Sequence, residues 1–389
     1  MVVFEPLDDP LKVLPLPLKI FEKLGISQHP TNRVRLVAYN LYMYLLAVLF
    51  IPKLFLGYDT IPQCFRSIAE GMLILNTSIT QFLLPFKMDQ LEVLLGELKL
   101  FSDKVSVTEE YKQILINLNT SIHKFTKHYF ILTILIIVAM LVSTSVGALY
   151  MYFWQTPEQT VNFPLMMENR LYALDAHHNF LHWFLHQLFV LPAICILLVI
   201  YTGKAGIFFG SIRFCSTIFS ILVLKINRMH VHISREQYTA ELKEIIMLHQ
   251  LAIRCSKLLK KILMDILLAQ FTGCVLIWCF FLYSFMISGI NAEGITVAAM
   301  LFSFSTETFI FCLLGNELTR QAEQISIAIY DTDWYEQPVE VQKLIIPIIQ
   351  QSQQRIGITA AKFYYIDFNR YGKSMKTAYS FYLLLKDIF

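Results

Sequence analysis

The sequence contains a series of long apolar runs, and these constrain the fold more than any other feature. Six runs are clear, and they cover residues 36–56, 67–86, 129–154, 180–202, 262–290 and 295–314. Each is about as long as the roughly 20 residues that a helix needs to cross a bilayer core of about 30 Å. Backbone groups inside lipid must be hydrogen-bonded within their own segment, so runs of this length predict helices. We therefore expect a polytopic, all-α membrane protein.

The composition agrees with this expectation. Hydrophobic residues make up 56% of the 389 residues and charged residues 16%, against roughly 45–50% and 25% in soluble domains. The run at 67–86 is weaker because it contains Glu70, Asn76 and Gln81, and we expect these groups to face the interior of the bundle. The seven cysteines lack the spacing of a metal site, which predicts free and mostly buried thiols rather than a disulfide framework.

The last stretch of the chain fits neither an ordinary membrane span nor a soluble tail. From Thr359 onward it is compatible with a helix that only Gly372 interrupts. At helical spacing its polar side chains share one stripe, which consists of Lys362, Asn369, Lys373, Lys376 and Ser380. The stripe is typical of an amphipathic tail on a membrane surface, or of a terminal span whose polar side faces water inside a channel. The stripe alone does not decide between them.

Basic residues in the loops indicate which side of the membrane each loop occupies. Lys and Arg are concentrated in residues 1–35, 87–127, 203–261 and 315–357, whereas the other loops are nearly bare. Since basic loops stay in the cytoplasm, the N-terminus is predicted to be cytoplasmic. If the last helix spans the membrane, the chain has seven transmembrane helices and an extracellular C-terminus. The basic segment 203–261 has helical periodicity, which favours a cytoplasmic helical anchor.

Three motifs in the last eighty or so residues resemble those of the insect odorant receptors. They are FCLLGNEL at 311–318, AIYDTDWYE at 328–336, and AKF at 361–363 followed by KTAYSFYLLLK at 376–386. They are similar to the family's end of the sixth helix, its Trp-Tyr signature and its last helix. One departure is Ile358-Thr-Ala-Ala361, where the family often has Leu-Thr-Ala-Gly. The long insertion of the shared coreceptor Orco before the fifth helix is absent, which indicates an odour-tuning subunit.

The resemblance implies an odorant-gated, non-selective cation channel of four subunits. In it this chain would assemble with the Orco coreceptor in the cell membrane of an olfactory neuron dendrite, and a small volatile organic ligand would open the pore. It also implies that the last helix lines the pore. The alternatives are a seven-helix G-protein-coupled chemoreceptor, whose N-terminus would be extracellular, and a channel like the gustatory receptors.

These expectations divide the chain into six segments. They are a cytoplasmic N-terminal segment (1–35), transmembrane helices one to four (36–202), a cytoplasmic extension of helix four and start of helix five (203–261), transmembrane helices five and six (262–314), the rest of the anchor with the first part of helix seven (315–357), and the pore-lining part of helix seven (358–389).

The resemblance further implies a ligand pocket in the outer half of the bundle, between helices two, three, four and six. Outer-half residues on these helices are the predicted ligand-binding set, although each could equally be ordinary bundle packing. They are Gly71, Met72, Leu75, Thr144, Gly147, Met151, Phe184, Gln187, Ala299, Phe302 and Ser303.

Two registers are available for the pore face of the last helix. The polar stripe directs Lys376, Ser380 and Leu383 into the pore, whereas the family resemblance directs Tyr382, Leu385 and Lys386 there. A face between the two registers is our prediction, and it consists of Tyr379, Tyr382, Leu383 and Lys386.

A histidine cluster precedes and opens the fourth run. It consists of His177, His178, His182 and His186, and the last three share one helix face, at a spacing that a zinc site can use. Asp175 is the only carboxylate beside them, so we expect a polar vestibule and no metal. The sequence contains no nucleophile elbow, phosphate loop or dinucleotide fingerprint. We therefore expect neither an enzyme nor a cofactor.

Overall fold

The computed structural model describes residues 7, 9, 11–23, 37–42, 44, 45, 48, 60–154, 162–169, 174–229 and 235–388. Its long elements are helices: α1 (Pro15–Lys23), α2 (Ile61–Val105), α3 (Glu109–Trp154), α4 (Phe180–Asn227), α5 (Arg235–Thr272), α6 (Cys274–Ser288), α7 (Ala292–Tyr330), α8 (Val339–Ser352) and α9 (Phe368–Ile388). A 3-10 turn covers Trp334–Glu336, and two short strands, β1 (Thr359–Ala360) and β2 (Tyr364–Tyr365), pair antiparallel. The all-α prediction is confirmed.

Within the described residues, four helical stretches are long and apolar enough to cross a membrane. They are α3, α4, the α5–α6 pair and α7. The weak run at 67–86 lies in α2, where Glu70, Asn76 and Gln81 are buried, so the prediction that these groups face the bundle interior is confirmed. Most of the first predicted span, 36–56, lies outside the described residues, although the backbone is helical at 37–42.

The helices continue well beyond the apolar runs and form a second helical layer, whose buried side chains belong to the same continuous apolar cluster as much of the membrane bundle. We call this layer the anchor bundle; it comprises residues 87–127, 203–229, 235–261 and 315–352. Its core is apolar at helical spacing, as in Leu94, Leu98 and Phe101 of α2, all of which are fully buried. His249 of α5 is buried there too, and burial lowers its pKa to about 4. The predicted helical character of 203–261 is confirmed for the residues described.

The N-terminal helix α1 packs into a glycine-lined groove on α4. A Cβ atom at Gly210 would lie 2.6 Å from Cδ2 of Leu14, and one at Gly206 would lie 3.0 Å from Cγ of Pro17. Glycine is required at these positions because the two segments approach so closely. The sequence predicted only a cytoplasmic N-terminal segment at 1–35 and did not indicate this packing.

The last helix begins at Phe368 rather than at Thr359, so the predicted start was wrong. Residues 359–365 instead form the β1–β2 hairpin, in which threonine and tyrosine favour strands. Ala361 at its turn has φ of 48°, a left-handed conformation that ends any helix. Its backbone N–H donates to the carbonyl oxygen of Met264 at 2.9 Å, which fixes the hairpin against α5.

The helix α9 packs against α6 along one face. Ser374, Ala378 and Tyr382 are its buried residues, and they recur every four positions. Tyr382 contacts Cys279 and Tyr283 of α6. Five of the seven cysteines are buried and all seven are free, which confirms the prediction for the thiols; the exceptions to burial are Cys64 and Cys195.

Candidate functional site

A cavity of about 120 Å³ lies between α2, α3, α4 and α7, the four helices that the family resemblance implied. Its walls are mostly aliphatic and methionine side chains. The lining residues are Glu70, Leu73, Ile74, Thr77, Thr133, Ile136, Ile137, Met140, Met167, Ile194, Leu197, Leu198, Tyr201, Met300, Ser303 and Phe304. Small-molecule sites in proteins combine an apolar wall with a few polar groups in this way.

The floor of the cavity is polar and rests on a buried ion pair. The hydroxyl groups of Thr77 and Tyr201 are hydrogen-bonded at 3.1 Å. Lys204 Nζ lies 4.6 Å from the centre of the Tyr201 ring and 2.5 Å from a carboxylate oxygen of Glu307. Lys204 and Glu307 are both buried. Burying two charges is costly unless they are paired, so this pair holds α4 and α7 at a fixed separation.

Two amides extend the floor to α2 and α5. The side-chain amide of Gln270 donates to Glu307 at 3.2 Å and accepts from Asn76 at 3.1 Å. The network therefore joins α2, α4, α5 and α7 directly beneath the cavity. Hydrogen bonds between buried groups are stronger than in water, and losing one partner leaves the other unsatisfied.

A short segment of chain, residues 162–169, contributes Met167 to the cavity. We call this segment the strap. Arg66 of α2 donates to the carbonyl oxygen of Leu165 at 2.7 Å, and the backbone N–H of Glu168 donates to Glu70 at 2.6 Å. Arg66 also bonds Glu70 at 2.7 Å. Buried charges thus hold the strap against α2.

The four histidines of the predicted cluster lie beside the strap and are used for separate contacts. His177 lies 3.3 Å from Glu168, and His186 is 2.7 Å from Asn169. His178 bonds Asp175 at 2.9 Å, while His182 accepts from the backbone N–H of Asp175. In the part of the chain that the structure describes, no three potential metal ligands converge.

A series of aromatic rings leads from the cavity to α9. Phe304 lines the cavity and lies 6.0 Å from Trp278 of α6, measured between ring centroids. Trp278 lies 5.5 Å from Tyr371 of α9. Tyr371 in turn lies 5.4 Å from Phe309 of α7. Aromatic pairs at these separations are in direct contact, so the cavity wall and the last helix are joined through packed side chains.

Of the predicted ligand-binding residues, Ser303 lines the cavity. Leu75, Phe184 and Phe302 are instead more than half exposed on the outside of the subunit, at 54%, 54% and 55%. Ala299 lies next to the cavity-lining Met300 and packs against the same apolar cluster.

The remaining predicted residues serve packing between elements. A Cβ atom at Gly147 would lie 2.8 Å from Cβ of Ala292, so α3 and α7 approach closely there. Thr144 is buried and donates to the carbonyl oxygen of Met140. Met151 packs in a separate cluster that includes the strap. Met72 approaches Gly273 of the neighbouring helix segment. Gly71 is half-buried, and Gln187 is buried with no hydrogen-bond partner among the described residues.

The predicted pore residues lie on two sides of α9. Tyr379, Leu383 and Lys386 are exposed, whereas Tyr382 is buried against α6. The face directly opposite the packed one carries Lys376 and Ser380, which are also exposed. The exposed surface of the helix thus includes four residues of the polar stripe, Asn369, Lys373, Lys376 and Ser380, whereas Lys362 lies in the hairpin before the helix begins.

Sequence reasoning missed Tyr201, Lys204 and Glu307 as site residues. A signal was present, because Glu307 is a carboxylate inside an apolar run and Lys204 directly follows another. Charges at membrane depth are rare and mark functional or structural centres. Their pairing could not be read from the sequence, since the two residues lie on different helices.

Helices of membrane-spanning length around an apolar cavity with a buried ionic floor define a multi-pass membrane protein that can hold a small molecule. A profile of the 7tm odorant receptor family matches residues 60–379. The match covers most of the chain, and the protein therefore belongs to the 7tm odorant receptor family. The resemblance inferred from the three motifs is confirmed.

Individual relatives agree with this assignment. The chain is 26% identical to odorant receptor Or2 of Anopheles gambiae over 150 residues, which are 39% of this chain and 40% of that receptor. It is 26% identical to the odorant receptor coreceptor of the same organism over 99 residues, 25% of this chain and 21% of the coreceptor. The matched segments thus span only part of these relatives. Among solved structures, olfactory receptor OR5 from Machilis hrabei in complex with eugenol has a TM-score of 0.78 at 16% identity, covering 98% of this chain and 100% of that one. The two proteins share a fold.

Proposed function

We propose that this chain is the odorant-binding subunit of a heteromeric, ligand-gated, non-selective cation channel. In this proposal it assembles with the odorant receptor coreceptor into a four-subunit channel in the membrane of an olfactory neuron. Membership of the odorant receptor family and partial similarity to coreceptors and odorant receptors support it. The ligand occupies the cavity between α2, α3, α4 and α7.

The observation that carries the proposal is the continuous contact from the cavity to α9. Phe304 lines the cavity and touches Trp278, and Trp278 touches Tyr371 of α9. Protein interiors are packed as densely as organic crystals, so a displaced ring must displace its neighbours. A ligand that fits the cavity better when α9 has moved shifts the population toward that state.

The helix α9 is the proposed pore lining, with the C-terminus extracellular and the N-terminus cytoplasmic. Its outward face carries Lys376 and Ser380, groups that are costly to expose to lipid. A lumen shared by several subunits would solvate them, and the apolar Leu383 on the same face suits a constriction that gates by dewetting. The seven-span topology includes α2 and α9, whose polar residues are accommodated by the bundle and the lumen.

The anchor bundle is the proposed assembly platform. Its Trp334–Tyr335 turn is ordered by hydrogen bonds: Tyr335 donates to Asp333 at 3.1 Å, and Gln342 donates to the Tyr335 carbonyl oxygen at 3.0 Å. Large side chains nearby, such as Tyr330 and Val339, are exposed outside the apolar runs. Exposed apolar groups of this kind are suited to contact other subunits.

Heterologous expression tests the proposal. The chain expressed alone should give little odour-evoked current, and coexpression with the coreceptor should give a cation current. An N-terminal epitope tag should be reached by antibody only after permeabilisation, and a C-terminal tag on intact cells. Odour responses that need a G protein, together with an accessible N-terminal tag, would establish the G-protein-coupled alternative instead.

A further inference from the structure

The lining of the cavity specifies a narrower class of ligand than a volatile molecule in general. We propose that the natural ligand is a small, neutral, aliphatic molecule with a single hydrogen-bond-accepting oxygen, such as a ketone or an ester. This inference rests on the proposed function, because it assumes that the cavity is the ligand site. Four properties of the lining carry it: volume, wall chemistry, available donors and the state of the nearby charges.

The volume limits the size of the ligand. The cavity measures about 120 Å³, somewhat less than the 150 Å³ of an engineered cavity that holds benzene, so a ligand of about six to eight heavy atoms fills it. A larger terpenoid or fused-ring ligand would have to displace Met140, Met167 or Met300. Methionine adapts readily, but each displacement disturbs the surrounding packing.

The wall favours an aliphatic body over an aromatic one. Branched aliphatic side chains such as Ile136, Ile137 and Ile194 surround the space, and among the described lining residues Phe304 is the one phenylalanine. Phe304 is already engaged edge-on by Trp278. An aliphatic chain can contact such a wall along its whole length, which removes the most apolar surface from water.

Among the hydroxyl groups on this side of the lining, that of Tyr201 can donate to a ligand. Thr133 gives its hydrogen to the carbonyl oxygen of Tyr129 at 2.8 Å. Thr77 lies within reach of both the Leu73 carbonyl oxygen at 2.9 Å and the Tyr201 hydroxyl oxygen at 3.1 Å. When Thr77 donates to Tyr201, the phenol hydrogen is released toward the cavity. A ligand oxygen that accepts this hydrogen provides the partner that the phenol group otherwise lacks.

Ser303 of α7 provides a second donor at the cavity. Its hydroxyl lines the cavity and makes no hydrogen bond to any other described residue. A carbonyl oxygen has two lone pairs and can accept from both Tyr201 and Ser303, whereas a hydrocarbon would leave both donors without a partner.

The charges beside the cavity exclude ionised ligands. Glu70 lines the cavity, but one of its carboxylate oxygens bonds Arg66 and the other accepts from the backbone of Glu168. Lys204 lies behind Tyr201 and is bound to Glu307. An amine or a carboxylate would therefore enter an apolar space without an available counter-charge, which is costly.

A matched set of probes tests this class. Cells that coexpress the chain and the coreceptor are challenged with methyl pentyl ketone, heptane, heptylamine and methyl nonyl ketone, and half-maximal concentrations are compared. We expect methyl pentyl ketone to be the most potent. Heptane should be weaker by about tenfold or more, the factor that corresponds to about one hydrogen bond. Heptylamine should be weaker because its charge has no counter-charge in the cavity, and methyl nonyl ketone because it is too long for the space. Heptylamine or methyl nonyl ketone as the most potent probe would overturn the proposal.

Variants of the lining identify the contacts. Tyr201→Phe should raise the half-maximal concentration of methyl pentyl ketone about tenfold and leave that of heptane unchanged. Ser303→Ala provides a second test of the donor role. Ile137→Ala enlarges the cavity and should move the preference toward longer ketones. Tyr150→Phe, at an exposed position on α3, is the matched control and should change neither. Unaltered ketone responses in all three lining variants, at normal surface expression, would remove the cavity contacts proposed here.

Direct binding separates this inference from the proposed function. The purified assembly of both subunits is heated with each probe, and ligand-induced stabilisation is measured without any current. Stabilisation in the expected order without current would support the ligand class and contradict the channel function. Robust odour-evoked current with a different order of stabilisation would support the channel function and overturn the ligand class.

Discussion

The indole ring of Trp278 packs edge-on against the phenol ring of Tyr371, with ring centroids 5.5 Å apart and the planes inclined at 80°. Trp278 is fully buried, and its indole N–H has no hydrogen-bond partner among the residues that the structure describes. Packing alone therefore fixes the position of this ring. Because Phe304 lies on its other side, Trp278 links the cavity wall to α9.

Shortening this side chain should uncouple the cavity from the last helix. Trp278→Leu is expected to reduce the maximal odour-evoked current about tenfold or more, which corresponds to about 1.4 kcal/mol in the gating equilibrium. Ligand binding should persist, since Trp278 does not line the cavity. Trp154→Leu is the control, because Trp154 is exposed at the end of α3. Normal maximal current from Trp278→Leu at normal surface expression would rule out the coupling route.

Removing one charge of the buried pair of Lys204 and Glu307 should destabilise the protein much more than removing both charges. Lys204→Met leaves the Glu307 carboxylate buried without its cation, and breaking such a pair costs about 3–5 kcal/mol. The double variant Lys204→Met with Glu307→Leu should recover much of the loss. Thermal unfolding of the purified protein measures both effects.

A partly exposed pair provides the comparison. Lys225 lies 2.6 Å from Glu244 in the anchor bundle, but both side chains reach solvent. Lys225→Met should therefore cost no more than about 1 kcal/mol. Equal losses from Lys204→Met and Lys225→Met would show that the buried pair has no special role.

The left-handed conformation of Ala361 offers a stabilising substitution. With φ of 48°, alanine is strained by about 1–2 kcal/mol relative to a right-handed conformation, and glycine is not. Ala361→Gly should raise the melting temperature, whereas Ala360→Gly, in the fully buried strand residue next to it, should lower it. A lower melting temperature for Ala361→Gly would mean that its lost Cβ contacts outweigh the relieved strain.

The features of the fold that could be predicted are those that depend on a single segment of the sequence. The runs in α3, α4 and α7 were recognisable because length and apolarity alone make a membrane helix. The burial of Asn76 and Gln81 followed from the cost of exposing amides to lipid. By contrast, the packing of Leu14 against Gly210 joins segments far apart in the sequence, and no local pattern indicates it.

The cavity shows the same limit on a finer scale. The predicted set contained both Phe302 and Ser303, but a one-residue step rotates a helix position by about 100°, and Phe302 faces outward while Ser303 faces the cavity. In the mostly apolar run that contains both residues, no single polar stripe marks the inward face. The cavity lies between the four helices that the family resemblance implied, but the resemblance did not indicate which residues along them line it.

Replacing a glycine should destabilise the protein in the packed groove on α4 and stabilise it at an open position on α2. Gly210→Leu forces a side chain against Leu14 and Ile122, and overpacking of this kind costs about 1–3 kcal/mol. At Gly96 of α2 nothing lies within 4 Å of an added Cβ. Gly96→Ala should therefore stabilise the helix by up to about 1 kcal/mol. Proteolysis near the N-terminus would report release of α1 in the Gly210 variant, and resistance equal to that of the unaltered chain would contradict the packing.

The two serines of α9 provide a matched test of the pore. Ser380 is on the exposed face and Ser374 is buried against the neighbouring helices. In a Cys195→Ser background, which removes the exposed native thiol, each serine is replaced in turn: Ser380→Cys and Ser374→Cys. A water-soluble, charged thiol reagent applied from outside during ligand exposure should react at position 380 and change the current.

The reagent should leave position 374 unmodified, because the packed face is inaccessible whether the channel is open or closed. The difference between positions 380 and 374 requires that water reach one side of the helix at membrane depth. Lipid on that side would prevent the reaction, because a charged reagent cannot enter hydrocarbon. Reaction at both positions would mean that the packed face also opens to water and would contradict the contact between α9 and α6. Protection of both would place the exposed face of α9 against lipid, against another subunit or on the cytoplasmic surface, where an amphipathic tail after six spans would lie. The pore would then be lined by a different element.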